Sequence, residues 1–263
     1  MNITIPLSAE FFGFSANQTG GHMARSMMHV EITTLITALP LNATPADFKS
    51  AILTDNILGK PTFTSRDKSY RHLVELYGLD PAPVLFRTLR KLAAEDLVSL
   101  PLIAMTSTFC RDAQLRHSFS LIEQLKPGEI LRRERMENHL EVGFPGRFSA
   151  AMKKSLAQNV NTTWTESGHL AGRAIKTRTL PKPRMAASIY AMLGGYLLGM
   201  RGEILVGSVF AKLVAADPSV IIAHLSTASA RGLLRFRHAG GVMEIDFSPL
   251  LTPRELEHLH GTH

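Results

Sequence analysis

The chain reads as a mainly helical protein with a small β-hairpin near its carboxyl end. Three observations predict this. No strand-like alternation of apolar and polar residues occurs in the first 125 positions. Helix starts and stops recur in order, such as Thr44-Pro45-Ala46-Asp47 and Gly78. Only residues 233–247 alternate with a period of two. Its 263 residues, 45% hydrophobic and 19% charged, are enough for a sizeable core. One cysteine, Cys110, excludes an internal disulfide and suits a reducing compartment.

The amino-terminal part is expected as a helical domain over residues 1–146. Met1 to Gly21 is irregular and aromatic. A helix over 23–39 is predicted by Met28, Ile32, Leu35 and Leu39 at helical spacing, with Pro40 ending it. Thr44 caps the next helix, with proline in its first turn and Asp47 facing the positive end of the dipole. Thr64-Ser65-Arg66-Asp67 opens another, striped by Tyr70, Leu73, Val74 and Tyr77 and stopped by Gly78. Asp80-Pro81 starts a fourth. Pro101 begins a long helix running to Leu125, where Pro127-Gly128 breaks the chain. Gly143-Phe144-Pro145-Gly146 marks a candidate boundary.

Residues 147–183 form a basic connector. From Arg147 to Arg184 there are eight lysines and arginines against one acid, Glu166, an excess equal to the net charge of +7. Such a block indicates a polyanion partner or a solvated surface. A helix is expected over 148–158, then a turn over 159–162. Thr163-Trp164-Thr165-Glu166 then reads as a capping box. In the helix it would start, Trp164, Gly168, Ala171 and Ile175 share one face, and His169, Arg173 and Lys176 another. Arg178 and Lys182 continue the block into a stiff Pro181–Pro183 link.

Residues 184–263 carry a recognisable order. Helices are expected over 184–198, 208–214 and 217–231, followed by a hairpin around His238-Ala239-Gly240-Gly241. The run Ser188 to Met200 is too short to span a bilayer and reads as a buried helix, with Gly195-xxx-Gly199 allowing close helix approach. Leu234, Phe236, Met243, Ile245 and Phe247 face inward. Arg235 and Arg237 face outward, with Glu244 opposite Arg235 if the loop has four residues. Three helices and a hairpin in this order describe a winged-helix-like domain, whose third helix usually enters the major groove. Winged helices also dock proteins, so both readings stand at this point. A short helix and a loose tail are expected after Leu250.

The sequence contains no GxxxxGK[ST], no GxSxG and no HExxH. Its histidines are scattered, His258-x-His260 being the closest pair, and no metal or other cofactor is expected. Cys110 beside Arg111 reads as a small core residue rather than a nucleophile. Met1 to Pro6 lacks a basic leader and apolar core, so the expected location is the cytoplasm, off the membrane.

Several short pieces of the amino-terminal part match a known pattern. They are Phe14-Ser15, Thr19-Gly20-Gly21, the helix from Arg25 to Leu39, Asp55-Asn56-Ile57-Leu58, Lys60, Thr64-Ser65 and Arg66. In these the chain resembles the BrxA family, a small component of BREX phage-exclusion systems. The likeness covers roughly the first 75 residues well and the next 50 loosely. It implies a helical protein, likened to the RNA-binding antiterminator NusB, that contacts DNA rather than catalysing a reaction. It also implies partners among a methyltransferase, an ATPase and a phosphatase-like protein of a defence operon. The chain departs from the family in its length and its carboxyl-terminal third, which leaves a counterpart in a related system as the alternative.

The expectation is a non-enzymatic nucleic-acid-binding subunit of an anti-phage system, with double-stranded DNA as the first partner and other defence proteins beside it. The rivals are a protein-docking scaffold and an RNA-binding factor. The residues expected to touch nucleic acid are Lys60, Arg66, Lys68 and Arg71 near the third helix, the basic set His169, Arg173, Lys176, Arg178 and Lys182, and the hairpin pair Arg235 and Arg237.

Overall fold

A computed structural model describes residues 3–18 and 20–261. Met1, Asn2, Thr19 and the last two positions of the expected tail lie outside the described residues. The fold is mainly helical, as the sequence predicts. Buried apolar side chains from Ile5 to Leu259 join in one cluster that draws on all parts of the chain.

The first helix, α1 (His29–Ala38), starts later than its periodicity suggests. Gly21–Met23 form a separate 3-10 turn, and Met28 sits at φ 50°, which no helix continues. α2 (Pro45–Leu53) has the expected Thr44 cap, and Asp47 completes it as a capping box: the Asp47 amide donates to Thr44 Oγ1, and the Thr44 amide donates to Asp47 Oδ2 at 2.7 Å. α3 (Phe63–Tyr77) begins two residues earlier than expected, because Thr62 rather than Thr64 is its cap and pairs with Ser65. Gly78 ends it at φ 85°. α4 (Val84–Glu95) starts after Pro83 instead of at Pro81, since Asp80 spends its carboxylate on the Ala82 amide in a turn. Arg90 of α4 is buried and donates to the carbonyls of Leu39, Pro40 and Leu41, holding the α1–α2 link.

The long helix expected over 101–125 is two helices, α5 (Leu100–Arg111) and α6 (Ala113–Gln124). Asp112 breaks it with an extended backbone, φ −121° and ψ 114°. Its Oδ1 caps α6 by accepting from the Leu115 amide at 2.9 Å. Its Oδ2 accepts from the backbone amide of His22 at 2.9 Å and from His22 Nδ1 at 2.8 Å. His22 Nε2 lies 2.7 Å from Thr163 Oγ1, which also accepts from the Met27 amide. All three side chains are buried. Burial pushes the Asp112 carboxyl up, but His22 and the amides of His22 and Leu115 outweigh that and hold it below the usual range. Gly20 must lack a side chain here, because a Cβ would fall on the Asp112 carboxylate.

A short strand, β1 (Ile130–Leu131), leads into α7 (Arg133–Gly143). Residues 143–146 form the turn to α8 (Ala150–Glu166), which packs along α7. α8 corrects two expectations. It runs unbroken through 159–162, and Thr163 caps nothing, because its hydroxyl is held by His22 and Met27. Trp164 therefore lies at the end of a helix, fully buried, its indole donating to Ser118 Oγ at 2.9 Å. Gly168 at φ 82° turns the chain out of the helix. Past Glu166 the expected helix gives way to β2 (Leu170–Ala171), a turn and β3 (Lys176–Arg178), in an antiparallel sheet of order β1–β3–β2.

α9 (Met185–Leu197) matches its expected span and is buried on all sides from Ala186 onward. It packs against α4 and α5 on one side and against the next helices on the other. The close approach is made by Gly194 and Gly195, over which Phe210 and Leu205 lie. Gly199, paired with Gly195 in the sequence reading, instead sits at φ 85° beyond the helix end. A helix the sequence did not announce, α10 (Gly202–Val206), precedes α11 (Val209–Leu213) and α12 (Pro218–Ala230). Strands β4 (Arg235–Ala239) and β5 (Val242–Asp246) pair as a hairpin, and α13 (Pro253–Gly261) follows. α13 is not loose. Glu255 is buried and takes an ion pair from Arg87 of α4 at 2.6 Å, while the His258 ring stacks on Phe11. No single helix among the described residues is long and apolar enough to cross a membrane.

The His22–Asp112–Thr163 network is expected to anchor the fold. His22→Ala leaves the Asp112 carboxylate buried without its main partner and should cost about 3–5 kcal/mol in denaturant unfolding. Because Asp112 titrates below its ordinary range when folded, its contribution is present above about pH 4 and disappears as pH falls through the folded value. A variant within about 0.5 kcal/mol of the parent, as for a plain surface change, would contradict this.

Candidate nucleic-acid interface

The carboxyl-terminal unit places its charges by strand geometry. Gly240 and Gly241, at φ 58° and 77°, make a two-residue turn, so His238 and Ala239 stay in the strand. The register differs from the four-residue loop expected. Arg235 faces Asp246, and Arg237 faces Glu244. Opposite residues share a face, so both arginines and both acids line the outer side. Phe236 and Ile245 turn inward, toward a core that includes Leu234 and Phe247. The hairpin is fixed to α12 where the Phe236 amide donates to Ser229 Oγ at 3.2 Å. The Arg235 guanidinium, itself largely exposed and screened by water, lies 3.4 Å from the half-buried Asp246. Among the described residues, Arg237 and the exposed Arg231, which follows α12, make no ion pair.

A cleft of about 530 Å³ opens between the start of α9 and α12, lined by Arg184, His224 and Arg231 and by the acids Glu95 and Asp96, so its charges balance. Arg184 is paired with Asp96 at 2.7 Å. His224 bonds Ser188 Oγ at 2.9 Å, and partial burial lowers its pKa. Sequence reasoning left Arg184, His224 and Arg231 out of the site. Helical spacing does put His224, Thr227 and Arg231 on one face of α12, but only the fold brings residues 95–96 and 183–186 to that face. The outward side of α12 is Ser219, Val220, Ala223, Ser226, Thr227 and Ala230, all small and uncharged.

The remaining expected residues are dispersed. His169 is fully buried at the end of α8. Its Nε2 donates to the Leu213 carbonyl at 2.8 Å, and Nδ1 lies 2.9 Å from Ser167 Oγ. Burial first, then the charge of Arg178, lowers its pKa to about 3, so it is neutral and has no surface to offer a phosphate. Arg178 is a correction of the same kind. It is 5% exposed and donates to the carbonyls of His169 and Thr179, tying β3 to the residue that leads into β2. Lys176 is a strand residue whose ammonium donates to the Gly172 carbonyl at 2.8 Å, and burial lowers its pKa. Arg173, in the β2–β3 turn, and Lys182, in the connector, are exposed.

Near α3 the charges serve the fold. Lys60 pairs with Glu31 of α1 at 2.8 Å, and Arg66 donates to the Leu53 carbonyl at 2.7 Å. Arg71 pairs with Asp67 one turn away, leaving Lys68 exposed. Asn56, at φ 51°, accepts from the Lys60 amide. Lys60 and Arg66 thus brace α1, α2 and α3 against one another. Cys110 is a core residue of α5, its thiol pushed up by burial to about 12. No family model matches the chain, and no curated protein matches it in sequence.

The buried state of His169 has a measurable consequence. Below about pH 6.5 an unfolded chain takes up a proton there that the folded chain refuses until about pH 3. Stability should therefore fall as pH drops through this window, by at most about 1.4 kcal/mol per pH unit from this group. Urea unfolding of the parent and of His169→Gln between pH 7 and pH 4 should show a flatter profile in the variant. Parallel profiles would contradict the assignment.

Proposed function

We propose that the chain is a non-enzymatic nucleic-acid-binding subunit, and that α9 to β5 acts as a winged helix on double-stranded DNA. The observation that carries this is the pair Arg235 and Arg237, exposed on one face of a hairpin fixed to α12. Docked in the usual way, α12 would lie in the major groove and the hairpin arginines would reach the backbone. The small side chains of α12 let the helix approach closely but offer no arginine, asparagine or glutamine to read a base edge. Binding should then rest on phosphates and vary little with sequence. The likeness of roughly the first 75 residues to the BrxA family would place such a subunit in an anti-phage system, where it holds other proteins on DNA.

A second reading is protein docking, and one observation favours it. The same face of α12 is free of charge and carries exposed Val220, which suits a packed interface as well as a groove.

Fluorescence anisotropy with two unrelated duplexes, across salt concentrations, separates these readings. Arg235→Gln with Arg237→Gln should weaken both duplexes alike and flatten the log–log salt slope by about 2, or about 1 per lost phosphate contact. Lys126→Gln with Arg132→Gln, away from the hairpin, should change little. If the hairpin variant stays folded with unaltered affinity and slope, the docking reading takes precedence. Tighter binding to single-stranded RNA than to either duplex would move the assignment to RNA.

A further inference from the structure

A small polar pocket of about 180 Å³ lies between the amino-terminal segment, the start of α6 and the end of α7. Ala113, Arg116 and His117 line it from one face of α6, Thr4 and Gln18 from the amino-terminal segment, and Gly143 from α7. Among the described residues, none that lines it is acidic.

Arg116 is the group that calls for a partner. It is 7% exposed and makes no ion pair among the described residues. Its Nη1 donates to the Phe109 carbonyl at 3.1 Å and its Nη2 to the Ser15 carbonyl at 3.3 Å. Its Nε–H is open to solvent and makes no hydrogen bond among the described residues. Two other buried arginines set the contrast. Arg90 and Arg178 also rest on carbonyls, but the Nε of each is shut away from solvent, and neither lines this pocket. A guanidinium does not shed its proton, so burial leaves a full positive charge. Carbonyl dipoles offset part of the cost of burying it, and a counter-ion offsets more.

The acids that adjoin the lining in sequence are engaged elsewhere. Asp112, one turn before Arg116, accepts from the Leu115 amide through Oδ1 and from His22 through Oδ2. Glu141, two residues before Gly143, pairs with Lys153 at 2.9 Å and accepts from the Gly146 amide. The charge facing the pocket is therefore positive, and the volume suits a phosphate better than a drug-sized ligand.

We propose that this pocket binds a small oxyanion of phosphate size, seated on the open Nε–H of Arg116 beside His117 and Gln18. The assignment does not depend on nucleic-acid binding.

The test titrates the full chain with sodium phosphate, and separately with sodium chloride at matched ionic strength and pH, and follows the Arg116 Nε–H signal by NMR. A saturable shift is expected with phosphate and none with chloride. Gln18→Glu, at an exposed position, adds a carboxylate to the lining and should weaken phosphate on the order of tenfold. Gln18→Lys should tighten it. Arg116→Gln should abolish the phosphate-dependent shift of the His117 ring, and the two Gln18 variants decide the matter alone if Arg116→Gln does not fold. Absence of a saturable shift would overturn the proposal, as would an equal response to chloride. Gln18 variants that leave the affinity unchanged, or move it in the same direction, would overturn it too.

Discussion

The buried contact between His22 and Asp112 is the constraint on which much of the rest depends. One carboxylate serves three elements: it ends α5, caps α6 and receives the amino-terminal segment. Through His22 the network continues to Thr163 in α8 and from there to the amide of Met27. The Tyr77 hydroxyl donates to the Met27 carbonyl, which adds α3. The network joins segments up to 141 positions apart. Each polar atom it buries has a partner, which is the condition under which such a network stabilises rather than costs.

A second organising element is α9. A helix apolar on every face has to be covered on every face. α4 and α5 cover it from the amino-terminal side, and α11 and α12 from the other. This lets one core run through the chain and sets the pose of α12. The ion pair between Arg87 and the buried Glu255 then returns the carboxyl end to α4. The hairpin consequently projects from a fixed base, with its inward residues held in the core and its arginines in solvent.

Local signals in the sequence were legible where local partners satisfy them. The Thr44–Asp47 box, the Gly78 stop, the span of α9 and the inward and outward sides of the hairpin all follow from neighbours within a few residues. The misreadings arise where a distant partner outcompetes a near one. Thr163 looks like a cap with Glu166 three positions on, but His22 takes its hydroxyl. Asp112 sits inside a helical periodicity, but the same histidine fixes it in an extended conformation. The charge density of residues 147–184 misleads for a related reason. A linear count does not see that Arg178 points inward, that Lys153 meets Glu141, or that Arg184 meets Asp96. Lys60 and Glu31, 29 positions apart, are invisible to it as well. Among the described residues, Arg173 and Lys182 of this block stay exposed without an ion pair, as do Arg231 and Arg237 outside it in the carboxyl-terminal unit.

The most direct measurement of this account is hydrogen–deuterium exchange of the whole chain with and without a duplex DNA. Slowed exchange over α12 and the hairpin, residues 218–246, with α1 to α3 unchanged, is the expected result. Protection of residues 60–71 with none over 218–246 would contradict it, because it would put the polyanion on the charges that brace α1 to α3.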